Sequence, residues 1–227
     1  MRVAEVFRSI QGESTRAGEP CTFVRLAGCP LRCAWCDTRH AWEGGREVSA
    51  EEAVREVAAT GAVPGVGHVC VTGGEPMADP DAPCLLAALA AAGHDVVLMT
   101  SGTFPLDAVP GGVRIVMDVK TPWVREAAPP ADPRPGAPPP HLDPSALARM
   151  GPGDEVKLVV RSRVEFDWAC AWAASAGLFG RVGAVLVGAA WGVAEPRDVA
   201  DWILASGLPI RLNVQWHKVM WGEGTRR

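Results

Sequence analysis

The chain has 227 residues, of which 48% are hydrophobic, so we expect a folded domain with a substantial core rather than a disordered chain. Its formal net charge of −4 argues against a broad nucleic-acid-binding surface, which needs an excess of clustered lysine and arginine. No apolar run reaches the ~20 residues of a membrane-spanning helix, so we expect a soluble protein that acts on a small molecule.

Short strand-like runs alternate along the chain with amphipathic stretches. The predicted strands are 2–7, 21–27, 68–72, 95–99, 113–119, 155–160, 182–187 and 208–214. The predicted helices are 50–60, one between Pro80 and Gly93, one that begins at Asp143-Pro144, and two at 164–176 and 195–206. This alternation is typical of βαβ units around a parallel sheet.

The number of repeats predicts an open barrel. Roughly six βα units are too few for a closed eight-stranded barrel, which usually needs about 250 residues. The expected fold is therefore α/β, an incomplete TIM-like barrel in a single domain over 1–227, with its ligands at the carboxyl ends of the strands. The segment 121–140 is rich in proline, which predicts an extended loop insertion.

Three cysteines form a compact motif after the strand predicted at 21–27. Cys29, Cys33 and Cys36 have the spacing C-x3-C-x2-C. A [4Fe–4S] cluster normally takes four cysteine ligands, so a loop that offers three leaves one iron open to a small molecule. S-adenosylmethionine is the expected occupant of that iron.

A zinc site is the alternative interpretation of this motif, and spacing alone leaves it open. Structural zinc has four closed protein ligands. The nearest histidine, His40, lies four residues after Cys36, and the other cysteines lie in apolar runs where buried free thiols are common. The pattern therefore favours a cluster. Seven cysteines are an odd number and the start is not leader-like, so we expect a reduced, cytoplasmic protein without a disulfide framework.

A glycine pair follows the strand predicted at 68–72. In Thr72-Gly73-Gly74-Glu75-Pro76, the glycines allow the backbone to approach a ligand closely, and the Glu75 carboxylate is suited to an ammonium group. A plain Gly-Gly turn is the alternative. The position of this turn, one βα unit after the cysteines, favours a shared site.

The C-x3-C-x2-C and GGEP motifs together resemble the radical S-adenosylmethionine superfamily. Three further segments resemble the 7-carboxy-7-deazaguanine synthase family, namely SIQGE at 9–13, FVRLAGC at 23–29 and WCDT at 35–38. The segments TSGT at 100–103, DVK at 118–120 and QWHK at 215–218 extend the resemblance nearly to the end of the chain.

The resemblance implies an activity and its cofactors. The family converts 6-carboxy-5,6,7,8-tetrahydropterin to 7-carboxy-7-deazaguanine with loss of ammonia, a carbon–nitrogen lyase reaction of queuosine-type deazapurine biosynthesis. The implied cofactors are a [4Fe–4S] cluster, S-adenosylmethionine and Mg²⁺. The implied partners are an electron donor such as flavodoxin or ferredoxin and a second copy of the chain in a homodimer. From the net charge and the lack of a long apolar run, we expect no nucleic acid or membrane partner.

The resemblance also implies a role for individual residues. Cys29, Cys33 and Cys36 hold the cluster, and Thr38 is a ligand of Mg²⁺, an ion that prefers oxygen. The implied substrate contacts are Ile10, Gln11, Gly12, Glu13, Arg25, Thr72 and His217. The implied cofactor contacts are Trp35, Cys36, Asp37, Gly73, Gly74, Glu75, Ser101, Asp118, Val119 and Lys120.

Ordinary structural roles are the alternatives for several of these residues. Arg25 suits a substrate carboxylate because a guanidinium pairs with it bidentately, but it also fits a surface arginine on an edge strand. Asp37 fits a turn, Lys120 fits a solvated loop, and a lone histidine such as His217 is usually structural. Lys157 lies inside a strand-like run, where alternation points it into the barrel, and its role is open.

The chain also departs from the family's pattern in three places, the first of which is the proline-rich stretch 121–140. The run 185–188 lacks the polar residue that members often place near S-adenosylmethionine. The chain also continues past its histidine motif to Arg227, whereas some members end there and use the terminal carboxylate on the substrate. Another radical S-adenosylmethionine enzyme, such as a glycyl-radical activase, and a structural zinc module remain the alternative functions.

Overall fold

The computed structural model describes residues 1–124 and 134–222, and its elements alternate as predicted. The strands are β1 (Arg2–Ile10), β2 (Pro20–Leu26), β3 (Arg46–Glu47), β4 (His68–Gly73), β5 (Val96–Thr100), β6 (Arg114–Val119), β7 (Glu155–Val160), β8 (Ala184–Ala189) and β9 (Ile210–Leu212). The helices are α1 (Ala50–Ala59), α2 (Ala82–Ala91), α3 (Pro144–Arg149), α4 (Arg163–Ser175), α5 (Pro196–Ser206) and α6 (Trp216–Trp221). Short 3₁₀ turns lie at Arg39–Ala41 and Pro76–Ala78.

The strands form one sheet in the order β3-β1-β2-β4-β5-β6-β7-β8-β9. All neighbours from β2 to β9 are parallel, whereas β1 runs antiparallel to β2 and β3. Within the described ranges, β9 and β3 remain unpaired with each other, so the sheet does not close. The predicted α/β fold with an open, incomplete barrel is confirmed.

The middle of the sheet is buried on both faces. β7 and β8 are buried at every position, as expected for parallel strands covered by helices on one face. Val156, Leu158 and Val160 of β7 join the hydrophobic core with Phe166 of α4. Because side chains alternate along a strand, Lys157 points to the opposite, inner face.

Capping residues explain where the predicted helices begin. Ser49 accepts a hydrogen bond from the Glu52 N–H while the Glu52 carboxylate accepts one from the Ser49 N–H, and the two bonds form a capping box at the start of α1. Asp143 caps α3 through the N–H groups of Ser145 and Ala146. α5 ends at Gly207, which has a φ of 63° in the left-handed region that glycine tolerates best.

The predicted boundaries were wrong at both ends of the sheet. β1 reaches Ile10 rather than residue 7, because Ile10 still pairs with Pro20 of β2. β9 has three residues instead of the seven predicted at 208–214. Pro209 has no N–H to donate at its start, and the Asn213 side chain binds the N-terminal turn at its end. The sequence analysis missed β3 and α6.

The predictions of an extended loop at 121–140 and of no membrane-spanning helix can be compared with the described residues only. Within 121–140, residues 121–124 and 134–140 contain no helix or strand, while 125–133 and the tail 223–227 lie outside the described residues. No helix in the described part of the chain is both long and apolar enough to cross a membrane.

Candidate active site

A cavity of about 430 Å³ opens where the parallel strands end. Its walls come from the cysteine loop, the turn after β1, the ends of β4, β5 and β6, and α6. This volume is in the range of small-molecule sites, about 300–1,000 Å³. The predicted site residues that line it are Ile10, Gln11, Gly12, Glu13, Arg25, Cys29, Cys33, Trp35, Cys36, Asp37, Thr38, Thr72, Gly73, Gly74, Ser101, Asp118, Lys120 and His217.

The cysteine loop presents its three thiols to the cavity. Cys33 is buried, Cys29 and Cys36 are half-buried, and all three pack around Leu31 and Val124. Among the described residues, no three Cys, His, Asp or Glu side chains converge on a single metal ion. A cubane takes each thiolate on a different iron and does not need such convergence. Burial raises the pKa of Cys33 to about 11, so iron would displace its proton on binding.

The glycine pair lets the end of β4 pack directly on the cysteine loop. A Cβ on Gly73 would lie 2.3 Å from the Leu26 carbonyl oxygen. A Cβ on Gly74 would lie 2.5 Å from the Gly28 carbonyl oxygen and 2.7 Å from Cys29 Cβ. All three distances are far shorter than a van der Waals contact, so this turn requires glycine and leaves bare backbone at the cavity wall.

Glu75 lies behind the cavity wall rather than in it. Its carboxylate accepts hydrogen bonds from Thr100 Oγ1 at 2.6 Å and from the N–H and Oγ of Ser101 at 2.6 and 2.5 Å. The Met77 N–H donates a fourth hydrogen bond at 3.0 Å. The structure therefore gives this buried carboxylate the task of joining the β4 turn to the end of β5 and orienting Ser101. The implied ammonium contact stays a prediction.

Val119 is the other predicted site residue whose side chain lies outside the cavity. It packs in the hydrophobic core, because alternation along β6 turns Asp118 and Lys120 inward and Val119 outward. The predicted cofactor contact at this position is therefore limited to the Val119 backbone.

A buried ionic network forms the floor of the cavity. Lys157 Nζ lies 2.8 Å from Asp118 Oδ2 and 3.1 Å from both carboxylate oxygens of Glu13. Lys120 Nζ lies 2.9 Å from Asp118 Oδ1, and Asn213 Nδ2 donates to Glu13 Oε1 at 3.0 Å. Burial alone would lower the pKa of Lys157, but the two carboxylates raise it, so the ammonium stays charged. Sequence analysis missed Asn213, and the only signal for Lys157 was its place inside a strand.

Arg25 is held in the cavity by a carboxylate on the neighbouring strand. Its Nε–H donates to Glu5 Oε1 at 2.6 Å, and His40 Nε2 lies 3.1 Å from the same oxygen. Burial alone would raise the pKa of Glu5, but the hydrogen bonds from Arg25 and His40 lower it overall. β2 lies between β1 and β4, so the edge-strand interpretation of Arg25 was wrong. Glu5 was missed, although the alternation of β1 turns it to the inner face.

The turn after β1 packs against α6. A Cβ on Gly12 would lie 2.3 Å from His217 Nδ1, and the Gly12 carbonyl accepts a hydrogen bond from the Trp216 N–H at 2.9 Å. Burial lowers the pKa of His217, which favours the neutral imidazole. The side-chain amide of Gln11 already has partners within the protein, since its Nε2 lies 3.3 Å from His68 Nε2 and its Oε1 accepts from the Glu13 N–H.

Thr38 and Asp37 lie at the rim of the cavity. Thr38 Oγ1 donates to Asp37 Oδ1 at 2.8 Å, which leaves the hydroxyl oxygen as an acceptor. Asp37 Oδ2 pairs with Lys218 Nζ of α6 at 3.0 Å. Trp35 lies under Arg161, whose Cζ is 4.7 Å from the ring centroid. The run 185–188, which lacks the expected polar residue, contributes nothing to the described lining of the cavity.

Comparison with known proteins gives a consistent result. A model of the Radical SAM superfamily matches residues 24–122. The 7-carboxy-7-deazaguanine synthase of Koribacter versatilis is 35% identical over all of this chain and 99% of its own length. The enzyme of the same name from Chlorobaculum tepidum is 37% identical over all of this chain and 96% of its length.

Solved structures share the fold. The crystal structure of QueE from Escherichia coli matches 95% of this chain and 94% of its own with a TM-score of 0.71 at 24% identity. Streptococcus suis SuiB bound to its precursor peptide SuiA matches 84% of this chain and 47% of its own with a TM-score of 0.55 at 13% identity. At these identities, the structural matches support the open barrel alone.

Proposed function

The chain belongs to the 7-carboxy-7-deazaguanine synthase family of radical S-adenosylmethionine enzymes, and from this premise we propose that its cavity holds substrate and cofactor side by side. The reaction is the conversion of 6-carboxy-5,6,7,8-tetrahydropterin to 7-carboxy-7-deazaguanine with loss of ammonia, a lyase step of the queuosine pathway. The observation that carries the proposal is that the three-cysteine loop, the glycine turn and Arg25 line one cavity.

The donor set at the cysteine loop fits a [4Fe–4S] cluster with one open iron. Cys29, Cys33 and Cys36 would hold it, and the bare backbone at Gly73 and Gly74 leaves room beside it for S-adenosylmethionine. When bound and reduced, this pair would supply the radical chemistry that the reaction needs, and the chain's own residues would orient the substrate beside it. Leu31 and Val124 give the thiols an apolar packing environment on one side.

The opposite wall of the cavity suits a carboxylated pterin. Arg25 already donates its Nε–H to Glu5, and a guanidinium has four further N–H donors for the substrate carboxylate. Glu13 presents a carboxylate that can accept from ring N–H groups. His217 and the Gly12 backbone close this side, so the pterin ring would lie between the turn after β1 and α6.

Mg²⁺ would bind at the rim beside Thr38. Its hydroxyl oxygen and the substrate carboxylate are hard oxygen ligands, and Mg²⁺ keeps several waters in such sites. The Thr38–Asp37–Lys218 chain holds the hydroxyl in place before the ion arrives. We therefore expect metal binding to depend on substrate, because the substrate carboxylate would supply ligand oxygens in addition to the Thr38 hydroxyl.

Substitution of Thr38 tests the metal site. In T38A, the ligand oxygen is lost, so we expect the Mg²⁺ concentration for half-maximal activity to rise at least tenfold, whereas T38S keeps the oxygen and changes it less than threefold. Titration of Mg²⁺ into the reconstituted enzyme with saturating substrate measures both. An equal Mg²⁺ dependence of T38A and wild type would contradict the assignment.

The partners follow from the chemistry. Each reduction of the cluster needs one electron, so we propose a small redox protein such as flavodoxin or ferredoxin as the donor. An open sheet with unpaired edge strands gains from cover, which supports a homodimer. Free thiols throughout the described residues, in a chain with an oxygen-sensitive cluster, support a reducing cytoplasm.

A further inference from the structure

Lys157 lies where the two halves of the cavity meet. It is directly opposite Asp118 in the register of β6 and β7, and its side chain is 4% exposed. Its single ammonium contacts Glu13 from the substrate wall and Asp118 from the cofactor wall, at distances of 3.1 and 2.8 Å. The resemblance of the chain to its family assigned no role to this residue.

We propose that Lys157 is a positioning residue that holds the Glu13 carboxylate in place and aimed at the pterin, with Asp118 as its anchor. The proposal rests on the proposed function of the cavity and specifies how its substrate wall is organised. Lys157 Nζ contacts both oxygens of Glu13, which fixes the plane of the carboxylate. Asn213 Nδ2 adds a contact to Oε1, so Oε2 has the greater remaining capacity to accept from the substrate.

The energetics explain why the network needs this lysine. A buried ammonium is costly unless it is paired and hydrogen-bonded, and Lys157 meets this condition through two carboxylates. The four charged groups, Glu13, Asp118, Lys120 and Lys157, balance to zero. Without Lys157, two carboxylates would share one ammonium, and removal of one partner from a buried pair costs more than the pair contributes.

Loss of Lys157 would affect the substrate wall at Glu13 more than the cofactor wall at Asp118. Asp118 would keep Lys120 at 2.9 Å, so the cofactor wall retains an ion pair. Glu13 would keep only the neutral amide of Asn213 among its partners described above. We therefore expect loss of Lys157 to weaken the binding of the pterin much more than the binding of S-adenosylmethionine.

The test compares K157M and K157R with a control on the same strand. E155Q is suitable, because Glu155 lies two positions before Lys157 on the same inner face and accepts from the Thr15 N–H at 3.0 Å, in the same turn as Glu13. Anaerobic equilibrium dialysis of each reconstituted protein with 6-carboxytetrahydropterin, Mg²⁺ and S-adenosylmethionine gives both dissociation constants. Steady-state kinetics gives KM and kcat, and thermal unfolding reports on folding.

In K157M, we expect the dissociation constant and KM of the pterin to rise about tenfold or more, with that of S-adenosylmethionine within about threefold. K157R keeps the charge and should recover part of the loss, while E155Q leaves pterin affinity within about threefold. The double variant E13Q/K157M should weaken pterin binding by less than the product of the two single effects. Each substitution removes the same interaction, the contact between Lys157 and Glu13.

The proposal would be overturned if K157M and K157R lost affinity for the pterin and for S-adenosylmethionine equally. It would also be overturned if a folded K157M kept the wild-type KM for the pterin. A fall in unfolding temperature with unchanged pterin affinity would also overturn it, because that is the behaviour of a purely structural lysine. Failure of the proposed function has a different signature, namely wild-type protein with a full cluster that neither binds the pterin nor forms product.

Discussion

The role of Arg25 as the partner of the substrate carboxylate leads to a specific prediction. Its guanidinium is fixed by Glu5 on one edge and faces the cavity, where the substrate carboxylate would lie. In R25K, the charge remains but the planar, bidentate fork is lost, so we expect the pterin KM to rise about 10- to 100-fold. KM measured at saturating S-adenosylmethionine tests this. R114K on the exposed start of β6 is the control, and an unchanged KM in R25K would contradict the assignment.

Other residues show what sequence can and cannot predict about a site. Eighteen of the twenty predicted site residues line the cavity, because motifs mark positions at the ends of strands. Asn213 and Glu5 were missed, since their roles come from contacts between distant parts of the chain. Asn213 meets Glu13 across 200 positions, and no local pattern encodes such a pair. Glu75 and Val119 were assigned to the site from motifs alone. A motif does not distinguish a residue that lines the cavity from one that packs behind it.

The β4 turn is the element on which the cysteine loop depends. In G74A, the new Cβ would meet the Gly28 carbonyl oxygen at 2.5 Å and Cys29 Cβ at 2.7 Å, and neither atom belongs to a flexible side-chain end. We expect the loop to shift, with about 1–3 kcal/mol lost from the free energy of unfolding and less iron bound per chain. Iron and sulfide analysis with thermal unfolding measures both.

Gly111 provides the matched control for that experiment. A Cβ there would meet nothing within 4 Å, so G111A should bind iron and unfold like the wild type. If G74A matched G111A in iron content and stability, the close packing of the turn on the loop would be refuted.

Secondary structure followed the sequence wherever local signals agree. The helix predicted at 50–60, the helix predicted to begin at Asp143-Pro144 and the strand predicted at 155–160 are present as α1, α3 and β7. At the end of the sheet the local signal was misleading. The run 208–214 has strand-like composition, but only Ile210–Leu212 form a strand, which pairs with β8. Beyond it, tertiary contacts with the turn after β1 decide the structure, and the same contacts bring α6 to the cavity.

The free energy of unfolding of the whole molecule should depend on a buried histidine at the amino end of β4 when the pH falls below 6.5. His68 is 4% exposed, and burial lowers its pKa to about 4 from 6.5, with Arg16 also lowering it and Glu19 and Asp95 opposing. Between these values the unfolded chain binds a proton that the folded chain does not. Stability is therefore full above pH 6.5 and falls as pH decreases to 4, by about 3 kcal/mol.

Urea unfolding of the wild type and H68Q between pH 7 and 4.5 measures this effect. H68Q removes the titrating group, so its free energy of unfolding should vary less with pH over that interval. Equal slopes in the two proteins would show that other groups control acid stability.

At the scale of the whole molecule, the central claim is the reaction itself. The most direct measurement is an anaerobic assay of the iron-reconstituted protein with reductant, Mg²⁺, S-adenosylmethionine and 6-carboxytetrahydropterin, scored by mass spectrometry. We predict 7-carboxy-7-deazaguanine in excess over 5′-deoxyadenosine, because S-adenosylmethionine is regenerated, and no product from C33A. Deoxyadenosine without the deazaguanine, from protein with a full cluster, would contradict the account.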